Sequence, residues 1–218
     1  MELIIQTLSS PWFLTIWAVQ MLAAQVVLIR DLSENNSHIP PLMKVVWVLT
    51  VLYSGLFGLA VYFYSGRKEI PHDSLWRRAC RSVAHCYSGC GAGEVVGLII
   101  AVGLLALSTP WVVAVTFSFA YLFGLALTIG PLLQGGTAFG EALKDAIYSE
   151  SASIVVMEAV AISVDLYLAG EATMGEVRFW SSLIVSLTLG LLAAYPVNVL
   201  LIRFGVKEGM GSPKPQPT

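Results

Sequence analysis

The chain has 218 residues, a formal net charge of −2, 12% charged residues and 56% hydrophobic ones, with a mean hydropathy of +0.76. Soluble domains carry about a quarter charged residues, so this composition excludes an ordinary soluble domain and makes the lipid bilayer the first partner. No broad basic surface or aromatic-basic module is present, which removes nucleic acid from the partners.

In chain order, the first apolar run, 11–29, approaches the roughly 20 residues that a helix needs to cross hydrocarbon. Gln20 and Gln25 turn one side of it toward protein. The ten residues before it hold Glu2 and no basic side chain, unlike a secretory signal peptide, so an uncleaved first span is expected. A polar link, 30–41, carries Asp31, Glu34, Asn35 and Asn36 as turn formers and stops at Pro40-Pro41. The second run, 42–64, holds Trp47, Gly55 and Gly58, with Tyr62 and Tyr64 at its end, where the headgroups suit tyrosine. A basic stretch follows: Arg67, Lys68, Arg77, Arg78 and Arg81. Within it Asp73 is placed to cap a short helix lying along the membrane surface.

The third run, 83–107, opens on His85-Cys86 and continues through Gly89, Cys90, Gly93, Glu94 and Gly97. The fourth, 111–133, contains Phe117, Phe119, Tyr121 and Phe123, an aromatic group that reads as packing or lipid contact. Gly130-Pro131 and Gly135-Gly136 loosen the chain into a polar link with Glu141, Lys144 and Asp145. The fifth run, 147–169, carries three acids, Glu150, Glu158 and Asp165. The sixth, 179–202, includes Pro196, expected to kink it, and Asn198, and stops at Arg203.

The expectation is therefore an all-α polytopic membrane bundle of six transmembrane helices. Residues 1–66 would form a two-helix hairpin, 67–210 a four-helix core, and the Gly/Pro-rich end, 211–218, a disordered tail. An inside N-terminus places Arg67, Lys68, Arg77, Arg78, Arg81, Lys144, Arg203, Lys207 and Lys214 on the cytoplasmic side, against Arg30, Lys44 and Arg178 outside. The rule that Lys and Arg accumulate inside then puts both termini in the cytoplasm of a multi-pass inner (plasma) membrane protein.

Two groups carry chemistry. At about 100° per residue, Cys86, Cys90 and Glu94 share one helix face, with Gly89, Gly93 and Gly97 at four-residue spacing allowing a neighbour to approach closely. The cysteines, Cys80, Cys86 and Cys90, are odd in number and clustered, which is not a secreted disulfide framework. Cys86 and Cys90, with His85 beside them, have the donor types of a soft-metal site, although each thiol alone would also serve as a small buried hydrophobe. On the fifth run Glu150, Met157, Glu158, Ala161 and Asp165 fall within one arc bordered by Ser153. Intramembrane acids confined to one side normally face the bundle interior or water.

These residues resemble a family of small bacterial and archaeal integral membrane proteins classed as a domain of unknown function, numbered 4396. The resemblance rests on three blocks: His85-Cys86 with Gly89-Cys90, Gly93-Glu94 and Gly97; Glu150, Ser153 and Glu158; and Ala194-Tyr195-Pro196-Val197-Asn198 followed by Leu201-Ile202-Arg203 and the run 205–210. It covers about 76–210 and makes the first two spans an addition to a four-helix core. It implies a polar site shared by spans three, five and six. The family pattern carries aspartate where this chain has Glu150.

Three functions compete. The first is a transporter or permease for a transition-metal ion of the copper or zinc class, captured by His85, Cys86 and Cys90 and passed along Glu94, Glu150, Ser153, Glu158 and Asn198, with the acids also able to carry protons. Met157 could add a thioether, though packing is its simpler role. The second is a thiol-redox protein: the arginines near Cys86 and Cys90 favour reactivity, but the spacing is not C-x-x-C and no nucleotide-binding or hydrolase signature accompanies it. The third is a non-catalytic membrane subunit held by buried ion pairs. An enzyme is the less favoured class. No cofactor is demanded beyond the candidate metal ion, and a homodimer is compatible with the span count without any residue requiring it.

Overall fold

The computed structural model describes residues 2–67 and 73–209, and among these described residues it has eight α-helices. They are α1 (Glu2–Leu8), α2 (Pro11–Glu34), α3 (Pro41–Ser54), α4 (Leu56–Ser65), α5 (Leu75–Leu98), α6 (Thr109–Gln134), α7 (Phe139–Ala169) and α8 (Val177–Arg203). A π-helical segment, Ile99–Leu104, prolongs α5. Lys68, Met210, Lys214 and the tail 211–218 lie outside the described residues.

Five of these helices are long and apolar enough to cross a membrane: α2, α5 with its π-helical extension, α6, α7 and α8. The second apolar run differs from the single helix expected. It breaks at Gly55, whose φ of +58° ends α3 and starts α4, leaving helices of 14 and 10 residues. The break is filled from α2. Gln20 Oε1 accepts the Leu56 N–H at 2.7 Å, and its amide occupies the space a Cβ at Gly55 would need. Gln25, further along α2, donates to the Val48 carbonyl at 2.7 Å. Each glutamine thus ties α2 to the backbone of the broken pair.

Other boundaries also move outward. The surface helix and the third span are one element: Ser74, not Asp73, caps α5 by accepting the Arg77 N–H. Asp73 pairs instead with Arg81, which is 1% exposed and also donates to the Ser65 carbonyl at 2.8 Å. The link that holds Glu141, Lys144 and Asp145 is the first turns of α7. α6 runs through Pro131 and α8 through Pro196. α2 continues to Glu34, so Asp31 is helical. Its carboxylate gathers Tyr62 at 2.7 Å, Arg67 at 2.9 Å and Asn36 at 2.8 Å, joining the ends of α2 and α4.

The outer surface is apolar. Trp12, Leu22, Val26, Leu104, Trp111, Leu122, Leu192 and Leu200 are all exposed, as lipid-facing positions should be. Inside, one core joins α5, α6, α7 and α8 and includes Val83, Tyr87, Ile154, Leu187 and Ala194. A second gathers α2, α3 and α4 around Leu28, Trp47 and Tyr62 and reaches α5 at Ala84. Thr50 and Ser88 link the two, 3.1 Å apart, with Ser88 donating to the Val46 carbonyl at 2.8 Å.

α5 is the most enclosed of the long helices because its glycines admit α6 to backbone contact. A Cβ at Gly93 would collide with the Phe119 carbonyl oxygen and stand 2.6 Å from Ala120 Cα. At Gly89 and Gly97 it would meet the Gly124 and Thr116 backbone at 2.9 and 2.8 Å. Gly93→Ala must therefore separate two helices or strain them, a cost of about 1–3 kcal/mol for overpacking. Gly130→Ala on α6 is the control, since nothing lies within 4 Å of the added methyl. The melting temperature in detergent should fall for the first and hold or rise for the second.

Candidate functional site

The fold gathers the buried polar residues of α5, α7 and α8 into one file along the inside of the bundle. α7 supplies its backbone. Glu150, Ser153, Met157, Glu158 and Ala161 are all buried on the side of α7 that faces α5 and α8. From Glu150 to Asp165 the helix rises about 22 Å, at about 1.5 Å per residue, against a hydrocarbon core about 30 Å thick.

At one end Lys207 Nζ lies 2.6 Å from Glu150 Oε2 and 3.1 Å from Asn198 Oδ1. Asn198 is the hub of this end. Its carbonyl oxygen also accepts from Ser82 Oγ at 3.1 Å, and its amide donates to Ser153 Oγ at 2.6 Å and to the Ala194 carbonyl at 3.0 Å. Ser153 Oγ points on to Cys86 Sγ at 3.8 Å, and Cys86 Sγ is 3.8 Å from Cys90 Sγ. All three cysteines are free thiols. Cys90 and Glu94 are buried on α5, one turn apart, and Glu158 is buried on α7. Glu94 and Asp165 line one narrow space. Both oxygens of Glu158, one of Glu94 and one of Asp165 are buried with no hydrogen-bond partner among the described residues.

The two ends differ. A cleft of about 480 Å³ opens beside Lys207 and is lined by Ser82, His85, Thr128, Asp145 and Glu150 among others. At the other end Glu94, Thr116 and Asp165 border a space of only about 20 Å³, lined also by Leu98, Val112 and Ile162.

His85 is adjacent to Cys86 in sequence but is turned about 100° from it on the helix. It lines the cleft with Glu150, while Cys86 and Cys90 sit deeper. Among the described residues no group of three or more His, Cys, Asp or Glu side chains is placed to hold a metal ion. The two sulfurs alone could reach one ion, since 3.8 Å is less than twice a Zn–S bond of about 2.3 Å. Met157 packs on α8, its Cγ 3.2 Å from where a Cβ at Gly190 would be. Gly89, Gly93 and Gly97 lie against α6, away from α7. Two residues of the site are not evident from the helix faces: Ser82, whose partner Asn198 is 116 residues away, and Lys207, which lies beyond the last span.

Asn198 makes four hydrogen bonds in an enclosed place, so removing it takes the Asn198 acceptor from Ser82 and one of their partners each from Ser153 and Lys207. Asn198→Ala should cost about 1–3 kcal/mol for each group left unsatisfied. By contrast, Arg30→Ala removes an exposed pair with Glu34 and should change stability by under about 1 kcal/mol. Thermal unfolding of the two variants in the same detergent checks the difference.

Comparison with known proteins returns the same region. The model of the family described as a domain of unknown function (DUF4396) matches residues 75–207, which is more than half of the chain and runs from the first residue of α5 to Lys207. No curated protein and no solved structure matches. The helices that build the polar file are thus the family's shared part, and the chain belongs to the DUF4396 family.

Proposed function

We propose that the protein is a transporter or permease for a transition-metal ion of the copper or zinc class in the cell's inner (plasma) membrane. One observation carries this reading. The polar file runs by contacts from Glu150 through Lys207, Asn198, Ser153 and Cys86 to Cys90, with Glu158 and Glu94 buried beyond it and Asp165 half-buried, and both oxygens of Glu158 and one each of Glu94 and Asp165 have no hydrogen-bond partner among the described residues. Carboxylates without counter-charge cost a structural bundle stability and give it nothing in return. A cation path needs them, because each must hold the ion and then release it.

In this reading His85 and Glu150 draw the cation into the wide cleft, and Cys86 and Cys90 take it as thiolates, the ligands soft ions prefer. Binding to thiols releases protons. Glu158 and Glu94, next along the file, receive these protons or the ion itself, so that charge moves without a bare carboxylate being stranded. The broken pair α3 and α4 crosses as one discontinuous span, which completes six crossings and leaves both termini and the cleft on the cytoplasmic side. The N-terminal hairpin, 1–66, then braces the core 67–210 through Thr50 and Ser88.

A second reading is favoured by the 3.8 Å separation of Cys86 and Cys90 Sγ: a membrane dithiol that cycles with a disulfide. Protein purified without chelator and reconstituted into liposomes separates the two. Wild type is expected to retain copper or zinc and to support their flux, and Cys86→Ser with Cys90→Ser should lower both by about tenfold or more. A wild type that neither binds nor moves either metal would refute transport of these ions. Reversible oxidation of the pair by a quinone would put the redox reading in its place.

A further inference from the structure

We propose that Lys207 is a tethered cation that closes the wide end of the file, its ammonium occupying a cation site built by Glu150 and Asn198. This rests on the transport reading above and adds what guards the path.

Past Arg203 the chain does not run away from the bundle. Gly205, at φ +71°, turns it, and the N–H groups of Val206 and Lys207 both donate to the Leu201 carbonyl, at 3.0 and 3.2 Å. Gly209 is then packed so closely on α8 that a Cβ would stand 2.7 Å from Ile202 Cδ1. The strap sends the Lys207 side chain back into the bundle, where it is 9% exposed and its partner Glu150 5%. The order of groups from the cleft inward is decisive. Lys207, Glu150, Ser82 and His85 line the cleft. Asn198 and Ser153 come next with no exposure, and Cys86 follows at 1%. The ammonium sits at the last layer that touches the cleft.

An ammonium only donates, so its site must consist of acceptors. A carboxylate oxygen at 2.6 Å and an amide oxygen at 3.1 Å are also what a free cation would bind. The ligand class of the site is therefore a small cation arriving from the cleft, in competition with the chain's own ammonium. A short tether gives that ammonium an effective concentration on the order of millimolar, so a cation must be abundant or tightly bound to displace it. The lysine stands on a strap after the last helix, where local opening costs less than unfolding a helix. Once Lys207 leaves, Asn198 Oδ1 loses one of its donors and the way to Ser153 and Cys86 is no longer blocked by charge.

The test reads access and flux separately. Purified full-length protein in detergent is treated with a small cationic methanethiosulfonate, and mass spectrometry follows modification of Cys86 apart from Cys80 and Cys90. Lys207→Gln removes the ammonium. Lys207→Gln with Glu150→Gln removes both charges and so avoids a stranded carboxylate that could unfold the protein. Cys86 should react about tenfold faster or more in both than in wild type, as for a group no longer gated by local opening, and Lys207→Arg should stay near wild type. Equal rates in all four proteins, or a Lys207→Arg as fast as Lys207→Gln, overturn the proposal even if reconstituted wild type moves copper or zinc. Accelerated labelling with no flux of either metal in any variant leaves the plug standing and overturns the transport reading instead.

Discussion

A carboxylate drawn into a bilayer must meet a cation, a proton or a set of donors, because the desolvation it suffers there is worth several kcal/mol. The arrangement of this protein follows from how it meets that demand for acids on one helix. Glu150 is met by Lys207 and faces Thr128. Among the described residues neither oxygen of Glu158 has a hydrogen-bond partner, and Glu94 and Asp165 each keep an oxygen without one. The file is thus satisfied at one end and left open in its deeper half. A bundle selected only to stand would have no reason for that gradient, since apolar side chains of similar volume fill a core at less cost.

The gradient depends on packing that has no chemistry of its own. The glycines of α5 let α6 approach to backbone contact, which turns Cys86, Cys90 and Glu94 into the bundle interior, where Cys90 Sγ also lies 3.0 Å from where a Cβ at Gly124 of α6 would stand. On α8, Gly190 takes the Met157 side chain, bringing α7 close enough for Asn198 to bond Ser153 at 2.6 Å. Small residues set the distances, and the polar atoms exploit them. In lipid, where apolar surfaces gain little from each other, this division of labour is what holds helices together.

Much of this was legible in the sequence, because helical periodicity is a local property. The common face of Cys86, Cys90 and Glu94 and that of Glu150, Ser153 and Glu158 follow from spacing alone, and the three blocks that carried the resemblance begin on α5, α7 and α8, inside the matched range 75–207. What periodicity could not give was anything set by a distant partner. Gly55 looks like one more glycine in an apolar run until Gln20, on another helix, fills the gap it leaves. Arg81 and Asp31 look like surface charges, yet each is buried by partners far along the chain. His85 misled in a different way: adjacency to Cys86 suggested a shared ligand set, whereas one residue of helix turns it into the cleft. Lys207 reads as a flanking basic residue of the last span, and only the reversal at Gly205 brings it home.

The asymmetry of the two ends bears on how such a file could work. The wide end is polar and guarded by an ion pair that a competing charge can disturb. The narrow end is guarded by Leu98, Val112 and Ile162, and what space exists there is too small for more than about one water. The two barriers differ in kind, so the conditions that open one need not open the other. A cation entering from the cleft acts on the first barrier directly, by competing for Glu150 and Asn198. On the transport reading, the second barrier would respond to a change in helix packing, since apart from Glu94, Asp165 and the Thr116 hydroxyl its lining is apolar. Between them lie the thiols and the unpartnered carboxylates, the one region where a desolvated cation would find enough negative charge to pause. On the transport reading proposed above, an ion-paired end, a buried acidic region and a narrow, mostly apolar end, in that order, would serve as the parts of an alternating-access path, and one stretch of α7 passes all three.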